Sequence, residues 1–506
     1  MPELHSRMRV TLWRAGRSSS LLMLVAAGLM IAGCKPVGPN YNRPAVTAPA
    51  NYKEIGATSV TPPPNPQGGN WKPASPSDGL LKGNWWEVYQ DPQLNSFEQR
   101  VTSDNFEIKQ ALSNYLAARD RVAAVRANLF PTLDLDAQIS RTRASYNAAN
   151  APPESRIMSN VLLVEGIASW EPDFFGRVRR SIELTRANAQ LSAADVAAID
   201  LAIHAELATD YFSLRGLDSQ SKLLSQTVAD LERQLDLTQR RLRGGVATAV
   251  DEAQAQTQLD NTRAQLVEVG VARAQFEHAI ATLANLDITT FSIPPTPLEL
   301  DLPNVPTGVP SQLLERRPDI AAAERSVAAA NAQIGIAVSA YYPTISLGGP
   351  GGFISAHPGT WIQGPSVLWT LGAQASQYIF DAGQRRAVTA TTRNIYEAQV
   401  DSYRNTVLVA FQDVEDQLSK LRILEQESGI QAQAVASAQH TLDLANRRYS
   451  GGVTSYLEVL TAEQIFIQDQ STAISLRSRQ FSASVSLIRS LGGGWDATQL
   501  PKFGNP

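Results

Sequence analysis

The side chains that most often carry chemistry are few and scattered in this sequence. Beyond residue 33, the only histidines are His204, His278, His357 and His440. None has a second histidine or a cysteine at the spacing used to bind zinc, and no Gly-rich segment is followed by the Lys-Ser/Thr of a phosphate-binding loop. Isolated histidines on amphipathic helices are usually structural. The sequence therefore predicts no catalytic residue, no metal site and no enzymatic activity.

Cys34 is the only cysteine, and its surroundings predict a covalent modification. It closes the sequence Ile31-Ala32-Gly33-Cys34, which follows four arginines and an apolar run over residues 21–32. That run is long enough for a secretory signal and too short for a transmembrane helix. The spacing is typical of a bacterial lipobox, in which the cysteine becomes the lipid-bearing first residue of the mature chain. We expect residues 1–33 to be a signal peptide and Cys34 to carry the lipid, with no other cofactor; a signal peptide with a chance cysteine is the alternative.

The charge balance narrows the choice of partners. The net charge of −4 becomes about −7 once residues 1–33 are removed. A surface with this charge disfavours nucleic acid as a partner. No later segment approaches 18 consecutive apolar residues, so no spanning helix is expected.

One short stretch occurs twice, in residues 240–253 and 447–460, which lie 207 positions apart. Each copy has arginines, then a glycine pair, Gly244-Gly245 or Gly451-Gly452, and then a hydroxyl residue. Glycine favours the left-handed conformation that ends a helix, and arginine in the last turn interacts well with the helix dipole. Thr248 with Asp251, and Ser455 with Glu458, have the spacing of a capping box. Each copy is therefore predicted to be a helix-turn-helix tip.

Long helices lead into both tips. Between Asp173 and Ile293 there is no proline, and apolar residues recur on alternating three- and four-residue steps. This pattern predicts a supercoiled helix over residues 177–243, about 100 Å long at 1.5 Å per residue, and a shorter helix over 249–286. A matching pattern over residues 400–449 predicts the second long helix. Shorter helices are expected over 105–129 and 318–340.

Strictly alternating segments lie between the short and long helices of each half. Residues 132–140 and 160–170 predict one β-hairpin, and residues 344–355 and 366–376 predict another. We therefore divide the chain into a signal peptide (1–33), a lipidated tether and strap (34–103), a first repeat (104–292, hairpin about 132–171), a Pro-rich linker (293–317), a second repeat (318–491, hairpin about 344–378) and a tail (492–506).

The lengths of these elements predict how they assemble. Two short helices stacked end to end would match each long helix, giving four helical columns and four strands per chain. A single-chain membrane barrel needs about eight strands to close. Either the chain forms an oligomer or the hairpins form an ordinary small soluble sheet.

The sequence also resembles the TolC-type outer membrane efflux factors, in particular the lipoprotein (NodT) branch that serves RND pumps. The resemblance rests on the duplicated plan, on Trp85-Trp86, on Asp91-Pro92-Gln93-Leu94 and on Arg316-Arg317-Pro318-Asp319-Ile320, and it covers nearly all of the mature chain. It implies a mainly α protein with a membrane β-barrel: a homotrimer with a 12-stranded β-barrel continuous with a 12-column α-helical barrel. It implies an outer membrane location, a periplasmic adaptor, an inner membrane RND pump and export of drugs or other small toxic compounds.

The resemblance also assigns a periplasmic constriction just after the glycine turns. Several members carry aspartates at the positions of Glu458 and Thr461, and some have an apolar constriction residue at the position of Leu457. This chain keeps an acid at the first position and a neutral hydroxyl at the second, which predicts a weaker cation-selective ring. Asp251 of the first tip is expected at or beside the same constriction. The competing interpretation is that Glu458 and Asp251 only cap their helices.

Two other functions remain open at this point. A duct for type I protein secretion would have the same fold. A coiled-coil structural or adaptor lipoprotein would explain the heptads. The helical hairpin of an adaptor, however, does not need amphipathic strands long enough to cross a membrane.

Overall fold

The computed structural model describes residues 35–49, 51–54, 83–145, 147, 158–306 and 310–503. Cys34 and the predicted signal peptide lie outside these residues. The first half contains α1 (Pro92–Asp104), α2 (Phe106–Ala127), β1 (Thr132–Arg143), β2 (Met158–Trp170), α3 (Arg177–Arg243) and α4 (Ala249–Leu283). The second half contains α5 (Leu313–Arg316), α6 (Pro318–Ser339), β3 (Thr344–Ser355), β4 (Val367–Trp369), β5 (Gly372–Ser376), α7 (Gln384–Ser450) and α8 (Tyr456–Ser490).

The predicted long helices are confirmed in both halves. Helices α3 and α7 each have 67 residues and begin after a glycine with positive φ, Gly176 at 81° and Gly383 at 89°. Seam residues such as Leu207, Leu214, Val407 and Val414 are fully buried. The heptad pattern of the sequence is therefore the pattern of core contacts.

The short helices stack end to end, as predicted. The Asn105 side chain at the start of α2 donates a hydrogen bond to the Leu283 carbonyl at the end of α4 (2.9 Å). In the second half, Arg317 at the start of α6 donates to the Ser490 carbonyl at the end of α8 (3.2 Å). Asn105 also accepts from two backbone N–H groups of α2, so it satisfies donors that a helix start leaves free.

The columns form a single layer with a fixed order. Helix α3 packs against α2 and α4 on one side and against α6 and α8 on the other, and α7 packs against α6 and α8. The layer therefore begins with the α2/α4 column and ends with α7. Near the tips α4 also contacts α8, where Gln464 donates to Gln258 at 3.1 Å, but along the rest of the layer each outer column has a neighbour on one side only.

The strands form one antiparallel sheet in the order β1–β2–β3, with β4 and β5 both paired to β3. The prediction of one continuous fourth strand over residues 366–376 is wrong, because that strand is interrupted at Thr370–Leu371. Thr370 N donates to the Pro350 carbonyl at 2.9 Å, but Pro350 has no N–H to return the bond. The loss of this ladder bond divides the strand into β4 and β5.

The strand register separates apolar from acidic side chains. Leu133, Leu135 and Ile139 lie on one face of β1, and Asp134 and Asp136 lie on the other. Asp136 stands directly opposite Glu165 of β2. Like charges at opposed positions destabilise a sheet. Such a pair is tolerable when this face borders water.

The N-terminal strap is fastened along the helices. Lys53 N donates to Glu415 at 2.6 Å, and Arg422 pairs with Glu54 at 2.6 Å. Trp85 and Trp86 are buried in a core cluster with residues of α1, α3 and α8. In the described part of the chain, no helix combines the length and apolarity needed to cross a membrane.

Candidate functional site at the helix tips

Both tips end their long helix with the same hydrogen-bond pattern. Gly244 and Gly451 keep negative φ, and only the second glycine of each pair is left-handed, with φ 72° at Gly245 and 74° at Gly452. At the first tip, Gly245 N donates to Leu242 O (3.0 Å) and Val246 N donates to Arg241 O (2.9 Å). The second tip repeats both bonds. This is the Schellman arrangement, and it uses carbonyls that a helix end leaves free.

The predicted capping box at the first tip is confirmed. Thr248 N donates to the Asp251 carboxylate at 2.8 Å, and Asp251 N donates to Thr248 Oγ1 at 3.3 Å. The carboxylate of Asp251 is thus held within its own tip, at the exposed start of α4.

The capping box predicted for Ser455 and Glu458 is wrong. Ser455 precedes α8 but its side chain makes no capping hydrogen bond. Glu458 instead accepts from the Thr454 hydroxyl and pairs with Arg448 Nη1 at 3.0 Å. The arginine at the end of α7 draws the carboxylate back across the turn, away from the backbone N–H of Ser455. Glu458 therefore links two helices through its charge.

Arg241 joins the two tips to each other. Its Nη1 and Nη2 donate to the carbonyls of Tyr449 and Ser450, each at 2.8 Å, and its guanidinium lies 4.5 Å from the centre of the Tyr449 ring. These carbonyls belong to the last turn of α7, where the helix dipole favours a cation. The sequence pattern predicts that each arginine stabilises the end of its own helix, whereas Arg241 caps the end of α7. The sequence signal for this special role is that an arginine recurs at the equivalent position, Arg448, in the duplicated stretch.

The remaining constriction candidates lie beside this link. Leu457 is 54% exposed, and the Thr461 hydroxyl donates back to the Leu457 carbonyl at 2.9 Å. Leu457 and Thr461 are four residues apart and share a face of α8. Val246, Val250 and Val453 are also exposed at the tips. Each chain thus presents exposed apolar side chains together with three acids at the starts of α4 and α8, Asp251 and Glu252 in the first tip and Glu458 in the second.

A cluster of ionisable side chains, separate from the tips, lies around the buried His204 of α3. His204 Nδ1 lies 2.5 Å from Glu98, its ring stacks on Trp86 at 4.4 Å, and Nε2 lies 3.5 Å from Asp200. Burial lowers the pKa of His204, but the hydrogen bonds and charges of Asp200 and Glu98 outweigh burial and raise it to about 9. The expectation that this histidine is isolated is wrong, because Glu98, Thr102 and Asp200 all lie within 3.5 Å of its ring nitrogens. His204 ties the strap and α1 to α3.

Nothing in the described ranges resembles a metal centre. No group of three or more His, Cys, Asp or Glu side chains in these ranges is placed to hold an ion.

Comparison with known proteins agrees with this geometry. The profile of the outer membrane efflux protein family matches residues 99–286 and 309–493. Two curated relatives from Pseudomonas putida are each 30% identical over 480 residues, covering 94% of this chain and 96% of theirs: the antibiotic efflux pump outer membrane protein ArpC and the toluene efflux pump outer membrane protein TtgC. The solved structure of the outer-membrane channel OprN superposes with a TM-score of 0.80 at 26% identity, covering 91% of this chain and 99% of OprN.

Proposed function

The chain belongs to the outer membrane efflux protein family and is the outer membrane channel component of an efflux pump, and we propose that three copies close around one axis to build that channel. The family consists of transport proteins, so this chain is not an enzyme. The observation that carries the proposal is a layer of four helical columns and one sheet, both with open edges on each side.

The sheet edges support closure by copies of the same chain. Strand β1 forms one edge and β4 with β5 forms the other. In a bilayer every backbone polar group needs a partner, and only a closed barrel gives strands that partner. If β1 of one copy pairs with the β4–β5 edge of the next, three copies give a barrel of twelve strands with no free edge.

The helices support the same closure. Besides its buried seam, α7 carries a second apolar stripe at multiples of seven residues, and each member is 44–69% exposed in the single chain. Its members are Val388, Ile395, Val409, Ile423, Ile430 and Leu444. A heptad stripe of this kind normally packs against another helix. We assign it to the α2/α4 column of the neighbouring copy.

A lipid on Cys34 fits the place where the described chain begins. Val37 N donates to the Phe175 carbonyl at 3.1 Å, and a Cβ on Gly176 would lie 2.5 Å from the Pro36 Cα. Phe175 and Gly176 join β2 to α3, which is the boundary between the strands and the helices. Acyl chains attached two residues before Pro36 would therefore reach the periplasmic leaflet of the outer membrane.

The tips fit the role of a periplasmic closure. In a trimer, Leu457, Glu458, Thr461 and Asp251 would each occur three times around the axis. The link from Arg241 to the Tyr449 and Ser450 carbonyls would hold the two tips of each chain together in the closed state. Opening requires that this link break or move. A periplasmic adaptor would engage the tips, and an inner membrane RND pump would supply the cargo.

The cargo is assigned by class only. Relatives named for toluene and antibiotic efflux support small toxic organic compounds as substrates. The test is accumulation of a fluorescent dye and growth inhibition by toluene in cells that lack the gene. We expect both to rise, and to return to wild-type values when the intact gene is restored. Unchanged accumulation and unchanged tolerance for these and for a panel of antibiotics would contradict the proposed function.

A further inference from the structure

The two faces of the sheet carry charges of opposite sign. In β1, Asp134 and Asp136 share one face, while Arg141 and Arg143 lie on the face of Leu133, Leu135 and Ile139. Asp136 is in register with Glu165, whereas Arg141 is in register with Asn160 and Arg143 with Met158. The three acids therefore face the inside of the proposed barrel. The two arginines point outward from it.

The outward face is otherwise uncharged in the described strands. Trp170, Phe353 and Trp369 share it with the leucines and isoleucine of β1, according to the registers of the four strand pairs. This composition is typical of a surface that contacts lipid. Both arginines are exposed. Within the described strands they are the only charged residues on the outward face.

The arginines also lie at a defined height. Strand β1 begins at Thr132, directly above α2, so Arg143 marks the end remote from the helices. With a rise of about 3.4 Å per residue and a tilt of about 40°, Arg141 lies about 23 Å and Arg143 about 29 Å above Thr132. The apolar band of such barrels is about 25 Å tall. The two guanidinium groups thus reach the outer edge of the hydrocarbon layer.

An arginine facing lipid is strongly unfavourable at the middle of a bilayer and nearly neutral at its interface. At that interface a guanidinium can donate two parallel hydrogen bonds to a phosphate group. The acidic side chains of the same strands cannot pair with these arginines in place of a phosphate, because they lie on the other face of the sheet.

We propose that Arg141 and Arg143 form a docking surface for the phosphate groups of a phosphorylated glycolipid of the lipid A class, in the outer leaflet of the outer membrane. A trimer would present three such surfaces, one per chain. The proposal rests on the proposed insertion of the strands as a trimeric barrel. It goes beyond the transport function, since it concerns the lipid that surrounds the channel.

The test is native mass spectrometry of the purified full-length trimer in detergent, titrated with diphosphorylated lipid A. Dephosphorylated lipid A is the lipid control, and Arg233→Gln/Arg240→Gln, which removes two exposed arginines of α3, is the protein control. We expect up to three bound lipids on the wild type and at least about tenfold weaker binding for Arg141→Gln/Arg143→Gln or for the dephosphorylated lipid. The control variant should bind like the wild type.

Equal binding of both lipids, or unchanged binding by Arg141→Gln/Arg143→Gln, would overturn the proposal, since acyl chains alone would then explain the contact. If that variant forms no trimer, Arg141→Lys/Arg143→Lys is the deciding variant. It keeps the charge and should retain phosphate-dependent binding, and a loss of phosphate dependence would count against the proposal.

Pore formation in planar bilayers distinguishes failure of the lipid-docking proposal from failure of the proposed channel assembly. A wild type that forms pores but shows no phosphate preference contradicts only the lipid surface, whereas a wild type that forms neither trimer nor pore contradicts the channel assembly.

Discussion

Arg241 of the first tip caps the helix that ends at the second tip, because its Nη1 donates to the carbonyl of Tyr449 at 2.8 Å while its guanidinium lies over the Tyr449 ring. The Tyr449 ring in turn lies 5.6 Å from the Tyr456 ring at the start of α8. One arginine therefore connects α3 to both helices of the second tip.

Replacing this arginine should loosen the closed tip. Arg241→Gln removes two hydrogen bonds, each contributing about 1 kcal/mol, in every chain of the trimer. We expect the open fraction in planar-bilayer recordings to rise at least about tenfold. Arg240→Gln is the matched control, because Arg240 is exposed and pairs only with Asp236 of its own helix in the described structure. Equal opening in the two variants would exclude a specific role for Arg241.

The charge at the second tip should set ion preference. Glu458→Gln removes three negative charges from a trimer, and we expect the reversal potential in a KCl gradient to report a lower cation preference. Thr461→Asp should raise that preference. The Arg448–Glu458 pair is half exposed, so its loss should cost at most about 1 kcal/mol of stability. Unchanged reversal potentials in both variants, with Glu232→Gln as a control away from the tip, would show that the constriction lies elsewhere.

The buried His204 predicts a pH-dependent stability. Its folded pKa, about 9, is above the ordinary value of 6.5, so its stabilising contribution is fully present below pH 6.5 and is lost as the pH rises through 9. The melting temperature should therefore fall as the pH rises over that range. His204→Gln should remove this part of the pH dependence and destabilise the protein at pH 6 by about 2 kcal/mol. The control is His278→Gln, on an exposed face of α4. A wild-type profile as flat as that of His204→Gln would disprove the coupling.

The lipid assignment is tested by mass. Intact-mass analysis of the wild type should show a chain that begins at Cys34 with its acyl groups, and Cys34→Ser should yield an unlipidated or differently processed chain. The barrel should still insert in this variant, since a closed barrel holds itself in a bilayer. The same lipid mass on Cys34→Ser would refute the modification at this residue.

Most of the fold could be predicted because its determinants are periodic. The heptads set both long helices, the alternation set the strands, and the repeat of 207 residues aligned the two halves. The interruption of the fourth strand was not predicted, because its cause lies in Pro350 of the neighbouring strand. The effect of a missing backbone donor on the neighbouring strand can be predicted only when the strand pairing is known.

The site was less accessible to sequence reasoning, because its contacts cross between distant segments. The Thr248–Asp251 box is local and was predicted correctly, whereas Glu458 responds to Arg448 and Arg241 responds to Tyr449. The partner of His204 is likewise remote in sequence, since Glu98 precedes it by 106 positions. Local spacing encodes a cap but not which residue of another helix competes for it.

The most direct test of the channel assembly is native mass spectrometry of the purified protein in detergent, together with circular dichroism. We expect three chains for the wild type. We also expect Ile423→Glu/Ile430→Glu, which places charge on the exposed stripe of α7, to dissociate the trimer, while Glu425→Gln on the same helix leaves it intact. A wild-type monomer with its full β content, unable to form pores, would contradict the account.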